Sequence, residues 1–388
     1  MRSVELFAGC GGLALGIARA GFQHDVVIER DDDSIRTLIT NKHRRVKHVR
    51  NWQIEQFDTR DFDFRALKGV DLVSGGPPCQ PFSIGGRHLG PNDPRNMWPE
   101  AIRIISELRP KAFILENVRG LFRPAFKAYL DYLMLQLSYP HAKPRSGEDW
   151  REHLERLRKH EAGRGERTYR VLSRAINAAD YGAAQKRYRA IFVGMATEFG
   201  SDWQFPEPTH SQEALIWSKH VDGEYWRRHE IRPIRSPASF SEAKESRLVK
   251  SLKSKPTTKP WTTVRDAIAD LPVASKRERI AGHWQHPGAR TYANHTGSCL
   301  DEPAKALKAG DHGVPGGENM VTSSRGKVRY FTVREMARLQ GFPDDFVIEG
   351  TWKAATRQLG NAVPIVVGER IARTVLASLR RQSTANCP

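Results

Sequence analysis

Cysteine is scarce in this chain. There are four in 388 residues, Cys10, Cys79, Cys299 and Cys387, and no C-x-x-C pair. That pattern argues against a disulfide framework or a cysteine zinc site, and fits a reducing compartment such as the cytoplasm. Long apolar runs are also missing, so no segment reads as a membrane span. The start, Met1 to Phe7, lacks a signal-peptide core and reads straight into a strand. Acidic residues are in short supply: 44 Asp and Glu against 62 Lys and Arg leave a formal charge of +18. Such an excess favours polyanion partners, because each phosphate contact releases counterions. A merely solvated basic surface is the plainer alternative on charge alone.

What is present is a βαβα rhythm. Val4–Phe7, Asp25–Ile28, Val70–Val73, Ala112–Leu115 and Ala190–Val193 are strand-like, while Gly11–Ala20 and Pro99–Leu108 read as helices. This predicts an α/β fold with a doubly wound, mostly parallel, Rossmann-like sheet and helices on both faces. Residues 141–168 interrupt the rhythm as a charged insertion, helical from Trp150 to His160. From 199 to 328, Pro, Ser, Lys, His and Trp increase and long amphipathic periods disappear. The expected organisation is a catalytic domain over 1–198, a smaller irregular domain over 199–328, and a return to the first domain over 329–388. That last part includes a helix near Val333–Gln340 and a final one from about Pro364 to Arg380.

Five segments carry chemistry. Gly75-Gly76-Pro77-Pro78-Cys79-Gln80-Pro81-Phe82-Ser83 sets a thiol at a strand's carboxyl end, on a backbone stiffened by prolines. Phe7-Ala8-Gly9-Cys10-Gly11-Gly12 follows the first strand and opens the first helix, and Glu29 ends the second strand. Glycines there allow close approach of a ligand, and the acid can accept from ribose hydroxyls. Read alone, this suits a nicotinamide dinucleotide as well as S-adenosylmethionine. Glu116-Asn117-Val118 puts a carboxylate at another strand's end, facing the same crevice as Cys79. Gln185-Lys186-Arg187-Tyr188-Arg189 puts Gln185, Arg187 and Arg189 on one face at period two. Gln358 to Pro364 reads as a turn feeding a helix, with Asn361 free to reach a ligand.

Taken in chain order, with Arg329 to Pro343 between the last two, these segments resemble the DNA (cytosine-5) methyltransferase family of bacterial restriction–modification systems. The match covers residues 4–364, and Thr263 to Pro272 also fits. The resemblance implies methyl transfer from S-adenosylmethionine to C5 of a flipped-out cytosine in double-stranded DNA. It implies a cognate restriction endonuclease acting on the same site. Cys79 would add to C6, since a thiolate there turns C5 into a nucleophilic enamine carbon. Glu116 would bind N3 and the exocyclic amine, Arg189 would hold O2, and Arg187 would steady the site. The cofactor would meet Phe7, Gly9, Gly11, Glu29, Asp58, Pro78, Trp98 and Asn361. Asp61 could replace Asp58, and Arg30 stands where an aromatic residue is frequent. Gln80, Ser83, Gly85 and Arg87 would contact DNA from a loop that closes over it.

The irregular domain is then the target-recognition domain, with Gly310–Gly317 as one loop able to offer amides to phosphates or base edges. No metal is expected, as His283, His286, His295 and Cys299 fit no strong zinc spacing. Two rival readings remain: a tRNA cytosine-5 methyltransferase of the same fold, and a nicotinamide-dependent oxidoreductase that shares the glycine turn and Glu29.

Overall fold

The computed structural model describes residues 1–78, 96–199, 202–232, 247–274, 280–291, 296–310, 319–323 and 326–385. The chain divides into two compact units. One holds Met1–Ile176, Tyr188–Pro206 and Gly368–Pro388; the other holds Asn177–Arg187 and Glu207–Val367.

The first unit is built on a seven-stranded sheet, and its elements follow the chain. β1 (Arg2–Leu6), α1 (Gly12–Ala20), β2 (Gln23–Glu29), α2 (Asp32–His43), β3 (Ile54–Gln56) and β4 (Leu72–Gly75) come first. Then come α3 (Trp98–Leu108), β5 (Ala112–Val118), α4 (Lys127–Ser138), α5 (Trp150–Ala162) and β6 (Tyr169–Asn177). After β7 (Gln185–Lys186), which belongs to the second unit, β8 (Tyr188–Ala196) returns to the sheet. The strand order is β3-β2-β1-β4-β5-β8-β6. β1, β2, β3, β4 and β5 pair in parallel, and β8 runs antiparallel to β5.

Alternation along the strands explains the layers. Val4, Leu6, Val26, Ile28, Val73, Phe113, Leu115 and Phe192 face one core, filled by Trp98, Ile102 and Ile105 of α3 and Leu133 and Leu137 of α4. Ser3 and Glu5 of β1 face the other side. There His24 Nε2 lies 2.8 Å from the Ala14 carbonyl of α1, and Ser3 Oγ lies 3.0 Å from His24 Nδ1. The final helix, Ile365–Ala385, packs on the same side, where a Cβ on Gly368 would lie 3.0 Å from Leu13. Helices thus cover both faces, as the rhythm of the sequence requires.

Local signals set the helix starts. Asp31 caps α2 by accepting from the Ser34 amide at 3.0 Å, with Asp32 and Asp33 in the first turn and Lys42 and His43 in the last. A reciprocal capping box between Asp149 and Glu152 starts α5, which fixes helix in the 141–168 insertion. The sequence reading missed β6, whose Arg174 and Ala175 are exposed and blur its apolar pattern.

In the second unit, the two T-V-R segments are both capping boxes, Thr263 with Asp266 and Thr332 with Glu335. The return to the first unit falls at Gly368 and not at 329. The reason is local pairing. Met320–Thr322 forms an antiparallel ladder with Val328–Tyr330, and Arg338 Nη1 reaches Asp270 at 2.5 Å. The stretch that looked regular in sequence is therefore tied to its neighbours in the second unit.

Candidate active site

The loop from Phe7 to Gly12 turns through three left-handed residues, Phe7 (φ 53°), Gly9 (φ 55°) and Gly11 (φ 88°). Gly11 must lack a side chain: a Cβ there would sit 2.9 Å from Leu38 and 3.4 Å from Trp52. Gly9 differs, with open space where its Cβ would be, so a ligand can approach the backbone. Glu29 organises this turn. Its Oε2 accepts from the Gly9 amide at 2.7 Å, and its Oε1 accepts from Arg30 and Asp31 at 2.7 and 2.8 Å. Oε2 has taken one amide donor, which leaves a lone pair for a hydroxyl. The open backbone at Gly9 and this acceptor fit a nucleoside cofactor.

Cys10 lies in the same turn, but burial pushes its thiol up to about 12, so it is no nucleophile at neutral pH. Asp58 is held by Arg30 and Arg60, at 3.1 and 2.7 Å, and these partners keep its carboxyl well below the usual range. Arg30 thus serves Asp58 where the sequence comparison expected an aromatic ring. Asp61 is exposed. Trp98 is fully buried against Phe192 at 5.1 Å, and its indole N–H finds no hydrogen bond among the described residues.

The reactive end is built where β4 and β5 finish. Gly75 cannot carry a side chain, since a Cβ would lie 2.5 Å from the Leu6 carbonyl. A Cβ on Gly76 would lie 3.0 Å from Glu116 Oε2, which brings the chain leading to Cys79 directly past that carboxylate. Asn117, buried to 2%, donates from Nδ2 to the Pro77 carbonyl at 3.1 Å. That bond pins the proline turn to β5, and the sequence reading gave Asn117 no role. Its position between Glu116 and Val118 in a strand end is the signal that was available.

Across the antiparallel ladder, Val118 pairs with Arg189 and Glu116 with Ile191. Glu116 and Arg189 are therefore diagonal neighbours on one face. Arg189 Nε lies 2.5 Å from Glu116 Oε1, with both side chains nearly buried. Burial lowers the guanidinium from its ordinary value, and the carboxylate opposes that shift. An anionic and a cationic side chain thus meet near the carboxyl end of β5.

Arg187 and Asn361 belong to the second unit. Arg187 is 1% exposed; its Nη1 donates to the Leu307 carbonyl at 2.8 Å and its Nη2 to the Gly360 carbonyl. Gln340 Nε2 reaches the Leu359 carbonyl at 2.5 Å. Both side chains hold the carboxyl end of the helix Trp352–Asn361, which replaces the turn expected from sequence at Gln358, and Asn361 is exposed there. His283 bonds Thr332 and the Pro272 carbonyl, and His286 stacks on Trp352 at 4.3 Å, so both have structural partners. Cys79, Gln80, Ser83, Gly85 and Arg87 lie outside the described residues, as do His295 and residues 311–317 of the glycine-rich loop.

A family model described as C-5 cytosine-specific DNA methylase matches residues 1–139 and 142–377. The chain belongs to that family. This methylase uses S-adenosylmethionine as methyl donor and acts on C5 of cytosine in DNA, which sets aside the nicotinamide reading of the glycine turn. It is 30% identical to the Type II methyltransferase M.NgoMIV of Neisseria gonorrhoeae over 381 residues, 98% of this chain and 99% of that one. It is 28% identical to the Type II methyltransferase M.PspPI of Psychrobacter sp. over 379 residues, covering 97% of this chain and 79% of the relative. Its fold is similar to the crystal structure of the S. pombe Dnmt2 methyltransferase, with a TM-score of 0.54 at 16% identity, over 100% of this chain and 99% of that one. Among the described residues, no helix of the methylase is long and apolar enough to cross a membrane.

Proposed function

We propose that the methylase works by covalent catalysis through Cys79 and protects host DNA in a Type II restriction–modification system. It would act in the cytoplasm, beside an endonuclease that reads the same sequence. The observation that carries the chemical reading is the Glu116–Arg189 pair, set beside Gly76 three residues ahead of Cys79.

The Cys79 thiolate adds to C6 of the extruded cytosine, and the ring electrons move to C5. Glu116 sits at N3 and the exocyclic amine, where a proton offsets the charge arriving on the ring. Arg189 holds O2 and keeps Glu116 in place. When bound, S-adenosylmethionine supplies an electrophilic methyl group. Removal of the C5 proton then lets the thiolate leave. Phe7, Gly9, Gly11, Glu29, Asp58, Pro78 and Trp98 of the first unit bind the cofactor in this reading, with Glu29 on the ribose. Arg187 steadies the end of the helix that carries Asn361. Gln80, Ser83, Gly85 and Arg87 meet the DNA.

The test is trapping on duplex DNA that carries 5-fluorocytosine, where the fluorine cannot be removed as a proton is. A denaturation-resistant protein–DNA adduct is expected with the native chain and none with Cys79→Ser. A Cys79→Ser protein that still methylates ordinary DNA overturns the mechanism. Bisulfite mapping of DNA from an expressing host identifies the recognised sequence, and resistance of that DNA to a matching endonuclease tests the protective role.

A further inference from the structure

At the carboxyl edge of β5, immediately beyond Glu116 and Asn117, Arg119 extends into solvent. Its guanidinium carbon lies 4.8 Å from the ring centroid of Tyr188, the first residue of β8. Tyr188 is 45% exposed, and it is among the few large hydrophobic side chains the fold leaves in solvent. Arg119 makes no hydrogen bond or ion pair among the described residues beyond this ring contact. The two arginines that flank Tyr188 in the sequence make a sharp contrast. Arg187 and Arg189, on either side of Tyr188, are spent on carbonyls and on Glu116.

The ladder explains the juxtaposition. Val118 pairs with Arg189, so the next residues outward on the two strands, Arg119 and Tyr188, meet at the rim. By strand alternation Tyr188 leaves the sheet on the face opposite to Arg189. Among the described residues, Tyr188 is not part of the buried core cluster of the first unit. The ring lies under the Arg119 guanidinium, 4.8 Å from its central carbon, a contact that needs no hydrogen-bond donor. An arginine set over an aromatic face, with no ion pair among the described residues, suits a phosphodiester, which accepts two parallel N–H bonds.

We propose that Arg119, supported by Tyr188, is a backbone clamp for the DNA strand that carries the extruded cytosine, gripping one phosphate beside the base pocket. This rests on the reading of Glu116 and Arg189 as the pair that holds the base. The partner is duplex DNA because Arg119 is an exposed cation, the chain carries a net charge of +18, and the family's substrate is DNA. Tyr188 acts as a positioning residue: it limits where the guanidinium can go and so lowers the cost of ordering a long side chain.

The experiment measures the affinity of the full chain for duplex DNA over a series of salt concentrations, with cofactor affinity and thermal midpoint as controls. Losing one phosphate contact should lower the slope of log affinity against log salt by about 0.9. Arg119→Gln is expected to show that change, with DNA binding roughly fivefold weaker at moderate salt. Its cofactor affinity should stay unchanged. Tyr188→Phe should behave as the native chain, and Tyr188→Ser should lose part of the same slope. An unchanged slope in Arg119→Gln overturns the clamp, and so does a loss of turnover in that variant without any change in DNA binding. Failure of native adduct formation on 5-fluorocytosine DNA would instead strike the base-holding reading, because the salt slope needs no extruded base.

Discussion

Glu116 Oε1 and Arg189 Nε sit 2.5 Å apart on neighbouring antiparallel strands, at the sheet edge that the proline turn crosses. Removing one partner strands the other as a nearly buried charge, so the two positions should fail together. Arg189→Ala and Glu116→Gln are each expected to slow single-turnover methylation by roughly two to three orders of magnitude. The double variant should lose little more than either single one. Near-additive losses in that cycle would show that the two side chains act independently.

Glu29 offers a sharper test, because its carboxylate takes three backbone N–H groups. Glu29→Gln keeps one oxygen but turns an NH2 toward an amide donor. It should therefore resemble Glu29→Ala, with about 1–3 kcal/mol lost in stability. Cofactor affinity, measured by titration calorimetry, should fall at least roughly tenfold in both. A Gln variant that binds cofactor as the native chain does would show that the turn does not depend on this acceptor.

Asn117 holds Pro77 through Nδ2, so Asn117→Asp replaces a donor with an acceptor facing a carbonyl. Turnover should drop by roughly tenfold or more, while cofactor affinity stays near native, since the glycine turn is untouched. Stopped-flow adduct formation separates the two quantities.

The pH dependence of stability should carry the mark of Glu5. This carboxyl is buried in β1 and accepts from Ser74 Oγ, and burial pushes it up to about 8. The folded state therefore keeps a proton that the unfolded chain releases near 4.5. Between these values the native state binds more protons, so stability falls as pH rises through the window and levels off above it. Glu5→Gln removes the ionisation. Its stability relative to the native chain should improve by roughly 1.4 kcal/mol per pH unit across that window. Chemical denaturation at pH 5, 6.5 and 8 reads this directly, and a constant difference between the two proteins rules it out.

Much of this was legible in the sequence because it was local. The strand ending at Glu29, the strand running into Gly75 and the helix after Gly11 follow from periodicity, whereas β5 runs on past Glu116 to Val118. The convergence of Glu116 with Arg189 was legible only through the ordered motifs, since the sequence does not state that β8 lies beside β5. Asn117 and Glu5 stayed silent for a different reason. Each is a polar residue in a buried strand, and its meaning depends on which carbonyl or hydroxyl the neighbouring strand presents. The end of the second unit was misplaced because capped helices look alike whichever core they join.

The direction of β8 has a consequence for how tolerant this edge can be. A parallel strand in that slot would place its opening residues at the far rim, roughly 20 Å away across seven residues of β5. Only a reversed strand lets an early residue meet a late one of its neighbour. The arrangement also makes spacing unforgiving. Deleting or inserting a single residue between Tyr188 and Ile191 would rotate the arginine through the sheet to the opposite surface. Such a one-residue change should abolish catalysis even where the strand itself still forms.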